Sequence, residues 1–600
     1  MKRWMKYIRP YALFFILGPL CMIVEVIGEV LMPRFLSQVI NNAQTSSPWF
    51  SVGMAGAMVA CAVMMMLGGI GGAYFGAKAS VNFAADLRCD VYRKVQKFSF
   101  ANIDRFSTGS LVTRLTNDVQ QMQNIVNMAL RMMLRAPGMM IGALVMAIAL
   151  RPSLAVVLAV TVPLMLISIL GIICTGFPRF AKVQKKLDGL NSTVQESVTN
   201  ARVVKSFVRE EFESKKFKVA NRELKDTSMS ASKVMIFMSP VMTLFMNITT
   251  IAILWFGGNM VYSGDMLIGD LSAFITYVNQ ILSSLMMVTM MLMMSSRALA
   301  SAKRISEVLD EELDLTDLPS ASQDATVTRG EIEFKNVSYR YYKDSEGKVL
   351  DRVNLNIPAG ATVGIIGSTG CGKTTLVSMI PRLYDVDEGS VLIDGRDVRD
   401  YTLHNLREGV GIVLQKNVLF SGSIEDNLRW GAEDATIEEI RAAAERAQAD
   451  KFVTSFKGGY DYDLGQGGKN VSGGQKQRLC IARTLLKQPK IIILDDSTSA
   501  VDTATEARIR KAFREDLGDS TKIIIAQRIS SVREADAIVV MNEGRITGMG
   551  THDELLRDNK EYQEIYESQS GSVKNIAEAI SALDDSESKT MLGAADAKGV

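Results

Sequence analysis

Four stretches of this chain, residues 50–77, 152–178, 234–264 and 271–296, contain no Asp, Glu, Lys or Arg. A helix needs about 20 apolar residues to cross a bilayer core. In lipid, only helices and closed barrels satisfy their own backbone polar groups. Charge-free runs of this length therefore demand membrane-spanning helices in the first half of the chain. Two shorter apolar stretches complete the set. Spans are expected near residues 11–33, 52–77, 134–150, 152–174, 236–260 and 268–295, six in all. The first follows Met-Lys-Arg-Trp-Met-Lys and runs on to Pro33. A signal peptide has a short apolar core and a small-residue cleavage site, so this stretch reads as a span.

The connections orient the bundle. Segment 78–135 carries nine Lys/Arg and segment 175–233 thirteen, whereas the intervening connections hold only Arg34 and Arg151. The positive-inside rule places the two basic segments and both termini in the cytoplasm of a multi-pass cell-membrane protein. Each basic segment has helical patterning and few breakers, so each reads as a helix pair projecting beyond the bilayer. Residues 105–118 and 202–211 are the expected tips. Arg135 is expected to snorkel from the third span, and Arg151-Pro152 to turn into the fourth.

Inside the membrane, Glu25 and Glu29 lie one helical turn apart on one face. Buried carboxylates of this kind either meet a cationic substrate or a proton, or belong to a structural hydrogen-bonded pair. Met286, Met287, Met290, Met291, Met293 and Met294 crowd the sixth span. Thioethers suit a surface that accepts many shapes, yet they also fill ordinary helix packing. Met286 and Met290, with Glu25 and Glu29, are the candidate substrate-cavity residues.

Beyond an acidic linker at 309–328, short β-runs alternate with helices from about residue 329, an α/β pattern. Gly367-Ser368-Thr369-Gly370-Cys371-Gly372-Lys373-Thr374-Thr375 follows the β-run Ala361–Ile366 and opens a helix. The spacing is that of a phosphate-binding loop. Glycines let backbone N–H groups wrap phosphates, Lys373 can reach the β- and γ-phosphates, and Thr374 offers a hydroxyl to Mg²⁺. Lys490-Ile-Ile-Ile-Leu-Asp495-Asp496 reads as a buried strand delivering Asp495 to the metal, with Asp496 where a water-activating base belongs.

Between these motifs lies Val471-Ser472-Gly473-Gly474-Gln475. With it in place, nearly all of residues 1–570 resembles an ATP-binding cassette exporter half-transporter of the bacterial multidrug type. The resemblance implies an α-helical six-span transmembrane domain with long intracellular helices (1–308). This is fused through the linker to an α/β P-loop nucleotide-binding domain (329–570). It implies that Tyr341 stacks on adenine, that Gln415 senses Mg²⁺ and faces the membrane domain, and that Asp502 lies in a loop joining two sites. It further implies that Ser472–Gln475 of one subunit completes the ATP site of a second subunit.

Two positions depart from the family pattern. Asp496 stands where efficient members carry Glu, and Gln527, in Lys522-Ile-Ile-Ile-Ala-Gln527, where they carry His. The chain has only two histidines, His404 and His552, and neither directly follows an apolar strand of the nucleotide core. Asp sets its carboxylate about an ångström further back than Glu, and Gln cannot carry a proton charge near neutral pH. Misplacement of that size slows chemistry by roughly a hundredfold. The expectation is a site that binds ATP and Mg²⁺ but hydrolyses weakly, paired with a competent partner subunit in a heterodimer. A homodimer with two slow sites is the alternative. The substrate class implied is an amphipathic or lipophilic small molecule. A lipid or peptide exporter and an ATP-gated channel-like subunit are the other readings. A net charge of +2 gives no reason to expect nucleic acid. The polar segment 571–600 is expected to lie outside the fold.

Overall fold

The computed structural model describes residues 2–42, 48–341, 347–496, 503–516 and 518–569. Asp502 and the segment 571–600 lie outside these, as does the side chain of Met290. The chain forms two compact units, Met1–Gln96 with Thr108–Glu311, and Lys97–Ser107 with Glu312–Val600.

The first unit is helical: α1 (Ala12–Asn42), α2 (Pro48–Gln96), α3 (Val119–Met132), α4 (Arg135–Leu150), α5 (Pro152–Thr199), α6 (Glu210–Ile236), α7 (Met238–Tyr262) and α8 (Ile268–Asp310). Among the described residues six helical stretches are long and apolar enough to cross a membrane: Arg3–Asn42, Pro48–Gln96, Thr108–Leu150, Pro152–Thr199, Glu210–Tyr262 and Ile268–Thr289. The first five contain the expected spans and overrun them, whereas the sixth ends at Thr289, short of the expected 295, although its helix α8 runs on to Asp310. α1 continues through Pro33 to Asn42. Packing rather than proline sets its end. Asp270, at the start of α8, accepts from Ser37 Oγ (2.5 Å) and Asn41 Nδ2 (3.2 Å) near the end of α1.

α1 and α2 approach closely because α2 offers glycine at the contact. A Cβ on Gly68 would lie 2.8 Å from the Cys21 carbonyl oxygen. Small residues that let backbones meet are the usual basis of helix association in lipid. Arg135 does not snorkel as expected. Its guanidinium stands 3.1 Å from Glu25 Oε1 and 3.4 Å from Glu29 Oε2. Apolar helices surround this triad, so pairing is cheaper than carrying the cation to the interface. Arg135→Ala leaves two carboxylates without their cation and is expected to cost about 3 kcal/mol. A lowered melting temperature in detergent, restored largely by Arg135→Lys, checks this. An unchanged melt would remove the triad from the stability argument.

The first of the two expected tips also differs from expectation. Its turn is centred on the helix Phe100–Phe106, while Thr108–Asp118 is already helical. Ser99 opens that tip helix with a reciprocal capping box to Asn102. The second tip holds the helix Ala201–Ser206, which begins one residue before the expected range of 202–211.

The second unit carries a four-stranded antiparallel sheet, β2-β1-β4-β5, from β1 (Ile332–Tyr339), β2 (Leu350–Ile357), β4 (Glu388–Ile393) and β5 (Arg396–Asp397). Beside it is a six-stranded sheet, β10-β9-β3-β8-β7-β6. Its members are β3 (Thr362–Gly367), β6 (Val410–Val413), β7 (Ile491–Asp495), β8 (Thr521–Ile525), β9 (Ala537–Asn542) and β10 (Arg545–Gly550). β6, β7, β8, β3 and β9 pair in parallel. Parallel strands are covered on both faces, which is why β7 reads Ile-Ile-Ile-Leu-Asp and is buried at every position. The helices that frame the site are α9 (Lys373–Ser378), α10 (Gly473–Lys487), α11 (Thr503–Asp516) and α12 (His552–Asp558). The acidic stretch expected as a linker is not a free tether. Leu315 and Val327 are buried, and Ser322 bridges to Tyr401.

Candidate nucleotide site

β3 ends at Gly367 and α9 begins at Lys373, so the loop between them crosses the carboxyl edge of the parallel sheet, where ligands of such sheets bind. Gly372 has φ +98°, and a Cβ there would meet the Val349 carbonyl oxygen at 2.8 Å. Only glycine fits this turn, and it aims the first N–H groups of α9 into the loop. Lys373 Nζ donates to the Gly367 and Ser368 carbonyl oxygens at 2.8 and 2.7 Å. Its ammonium is therefore held at the loop's mouth. Gly367, Ser368, Thr369, Gly370 and Cys371 form the loop itself, with Cys371 buried beneath it.

The parallel neighbours bring the acids alongside. Thr374 Oγ1 donates to Asp495 Oδ1 at 3.2 Å. Burial pushes the Asp495 carboxyl above its ordinary value, and the nearby Asp496 carboxylate adds to the rise, while the Thr374 hydroxyl opposes it. A divalent cation would relieve this crowding of negative charge. Among the described residues no group of three acids, His or Cys makes an all-protein metal cage. That suits Mg²⁺, which binds through one or two protein oxygens together with phosphates. Thr374 and Asp495 would hold it. A bound Mg²⁺ supplies charge neutralisation at the phosphates.

Asp496 is the junction of the site. It sits in the left-handed region at φ +48°. Gln415 Nε2 donates to its Oδ2 at 3.3 Å, and Gln527 Nε2 donates to the same oxygen at 2.8 Å. Gln415, Asp496 and Gln527, far apart in sequence, are thus one hydrogen-bonded network. Neither amide can accept a proton from a water that Asp496 might activate.

Tyr341 is exposed on one face, as an adenine platform must be. Its hydroxyl lies 2.9 Å from Thr375 Oγ1, and its ring packs edge-on against Tyr339 and Tyr384. Sequence reasoning missed Tyr384, which follows α9 and carries no motif. The Ser472–Gln475 segment is placed apart from this loop as the N-terminus of α10. Ser472 caps the Gln475 N–H (3.3 Å), and Gln475 Oε1 accepts from the Ser472 N–H (2.9 Å). Ser and Gln at this spacing are a capping box, and they leave Gly473 exposed at a helix start suited to phosphate.

The membrane candidates fall differently. Glu25 and Glu29 are paired by Arg135, which favours the structural alternative, although Glu25 Oε2 is buried without a partner. Met286 is partly buried and packs on the apolar core of the helical unit.

Comparison with known proteins agrees with both units. The model of the ABC transporter transmembrane region matches residues 15–285, and the ABC transporter model matches residues 350–499. The uncharacterized ABC transporter ATP-binding protein YfiB of Bacillus subtilis is 37% identical, over 95% of this chain and 99% of its own. An ATP-dependent lipid A-core flippase of Desulfotalea psychrophila is 34% identical, over 81% of this chain and 84% of its own. A solved bacterial Atm1-family ABC exporter with ATP bound is 26% identical with a TM-score of 0.77, covering 94% of this chain and 98% of that one.

Proposed function

Because this chain belongs to the ABC transporters and has the fold of their exporters, a multi-pass membrane protein with an ATP-binding domain, we propose that it is the ATP-retaining subunit of a heterodimeric exporter of amphipathic or lipophilic small molecules. The observation that carries this reading is the Gln415–Asp496–Gln527 network. It keeps an acid and an amide near the γ-phosphate position while offering no group that both reaches a water and takes its proton. Gln527 still reads the γ-phosphate through its N–H. The loop, Lys373 and Thr374 remain suited to binding, so ATP stays rather than turning over. Export driven by ATP then relies on hydrolysis at the site of a second subunit.

A second subunit is also supported by the tip of the α5–α6 helix pair. Phe207 and Val208 there are 71% and 80% exposed. Phe207 lines an open cavity of about 610 Å³ with Val203, Val204 and Phe212, edged by Glu196, Arg209 and Glu213. Apolar surface so far from lipid ordinarily marks a protein contact. The basic connections favour a cytoplasmic side for that tip, the nucleotide domain and both termini. A lipid as cargo is the second reading, favoured by the 34% identity to a lipid A-core flippase.

The test is to isolate the chain from its native membrane in mild detergent and weigh what accompanies it. The expected result is a second half-transporter in equal amount, carrying Glu and His at the positions of Asp496 and Gln527. Recovery with copies of itself alone would refute the heterodimer.

A further inference from the structure

The turn that carries Gln527 is held from outside the nucleotide motifs. Gln569 Nε2 donates to the Gln527 carbonyl oxygen at 2.9 Å, and Gln569 Oε1 accepts from the Ile529 N–H at 3.0 Å. One side-chain amide thus grips the backbone on both sides of Arg528. We propose that Gln569 is a positioning residue of the ATP site, clamping the turn so that the Gln527 side chain points at Asp496 and the γ-phosphate.

The chemistry of the clamp is specific. Ile529 opens a 3-10 turn, Ile529–Ser531, and the first N–H of such a turn has no partner within it. The Gln527 carbonyl takes its donor from Gln569, while its side-chain amide donates to Asp496. A side-chain amide is the group that offers a donor and an acceptor a fixed distance apart. The far side of the turn is fastened from α11. Arg510 Nη1 donates to the Ser530 carbonyl at 2.8 Å, and Ser531 Oγ donates to Glu506 Oε1 at 2.8 Å. Gln569 closes the near side, the one next to Gln527. Its helical segment, residues 560–569, is seated on the domain through buried side chains. Tyr562 is fully buried among Ala526, Ile529, Val532 and Leu555, and its hydroxyl lies 2.7 Å from His552 Nδ1. The packing that fixes the end of the nucleotide domain therefore reaches the site through one side chain.

This inference rests on the reading of Gln527 as the group that senses the γ-phosphate, and the experiment separates the two. The full chain, in its native membranes, is photolabelled with radioactive azido-ATP in the presence of Mg²⁺, and unlabelled ATP or ADP competes. The ratio of the two affinities is a readout that a merely structural role would not move. Gln569→Ala is expected to narrow the preference for ATP over ADP by about fivefold, the size of one neutral hydrogen bond, with ADP affinity unchanged. Gln569→Glu keeps the acceptor for the Ile529 N–H but loses the donor to the Gln527 carbonyl. It is expected to match alanine while preserving the helix. Gln527→Ala is expected to narrow the ratio as well, and adding Gln569→Ala to it should change nothing further. Three results overturn the clamp: an unchanged ratio in both Gln569 variants, equal loss of ATP and ADP affinity, or additive effects in the double variant. An unchanged ratio in Gln527→Ala overturns the γ-phosphate reading itself, and the clamp with it.

Discussion

Lys373→Ala is expected to lower the affinity of this chain for ATP by roughly fiftyfold, the size of one charge-assisted hydrogen bond of about 2.5 kcal/mol. The side chain is held by two carbonyls of its own loop, at 2.8 and 2.7 Å. Carbonyls are weak partners for an ammonium beside a polyphosphate, so the cation transfers to phosphate oxygens when nucleotide arrives. Alanine removes that cation. It also frees the carbonyls of Gly367 and Ser368, which then point their negative ends into the phosphate site. Both effects act in the same direction. Lys373 is only partly buried, so the melting temperature of the nucleotide-free protein should hardly move. Equilibrium binding of labelled ATP, set beside a thermal melt, separates lost affinity from lost fold. Unchanged nucleotide occupancy would show that this loop is not the phosphate cradle.

The parts legible in sequence were those whose physics is local. A charge-free run longer than a bilayer core can only be a span, and five of the six expected spans fall whole within long apolar helical stretches, the sixth running six residues past Thr289 within α8. The phosphate loop is equally local, because strand, glycines, lysine and helix start lie within about fifteen residues. What stayed hidden depends on partners distant in the chain. Arg135 reads as an interface residue until α1 is packed against α4 and presents Glu25 and Glu29. Pro33 reads as a helix end, yet packing carries α1 past it. The first tip was placed too late because Arg105–Asp118 contains Gly, Ser and Thr, which are turn formers in isolation. Ser99 and Asn102 cap the tip helix earlier, and the Thr108–Asp118 segment continues as helix. Tyr384 and Gln569 belong to no motif. Gln569 is 42 residues from Gln527, and only the buried seat of Tyr562 brings the two together.

Asp496→Glu combined with Gln527→His is expected to raise hydrolysis at this site by roughly ten- to a hundredfold, reversing a misplacement of about an ångström. In the native chain Asp496 Oδ2 is held by two amide donors, Gln415 and Gln527. They engage the carboxylate oxygen that would otherwise be free to take a proton from water. Glu extends the carboxylate beyond that grip, and His replaces one donor with a group that can take up charge near neutral pH. The change carries a cost in stability. Asp496 lies at φ +48°, a conformation that Asp tolerates better than Glu because its short side chain bonds locally. That strain costs on the order of 1 kcal/mol. It acts on folding stability, present in the resting and the reacting protein alike, so it appears as a lower melting temperature rather than a slower reaction. The single Asp496→Glu variant, with no histidine to take up charge, should gain less than the pair. The measurement is ATP turnover of the assembled transporter together with the lifetime of ATP retained on this chain. Faster turnover with a shorter lifetime is the expected result. A long lifetime persisting in the double variant would mean that something other than these two residues keeps the ATP in place.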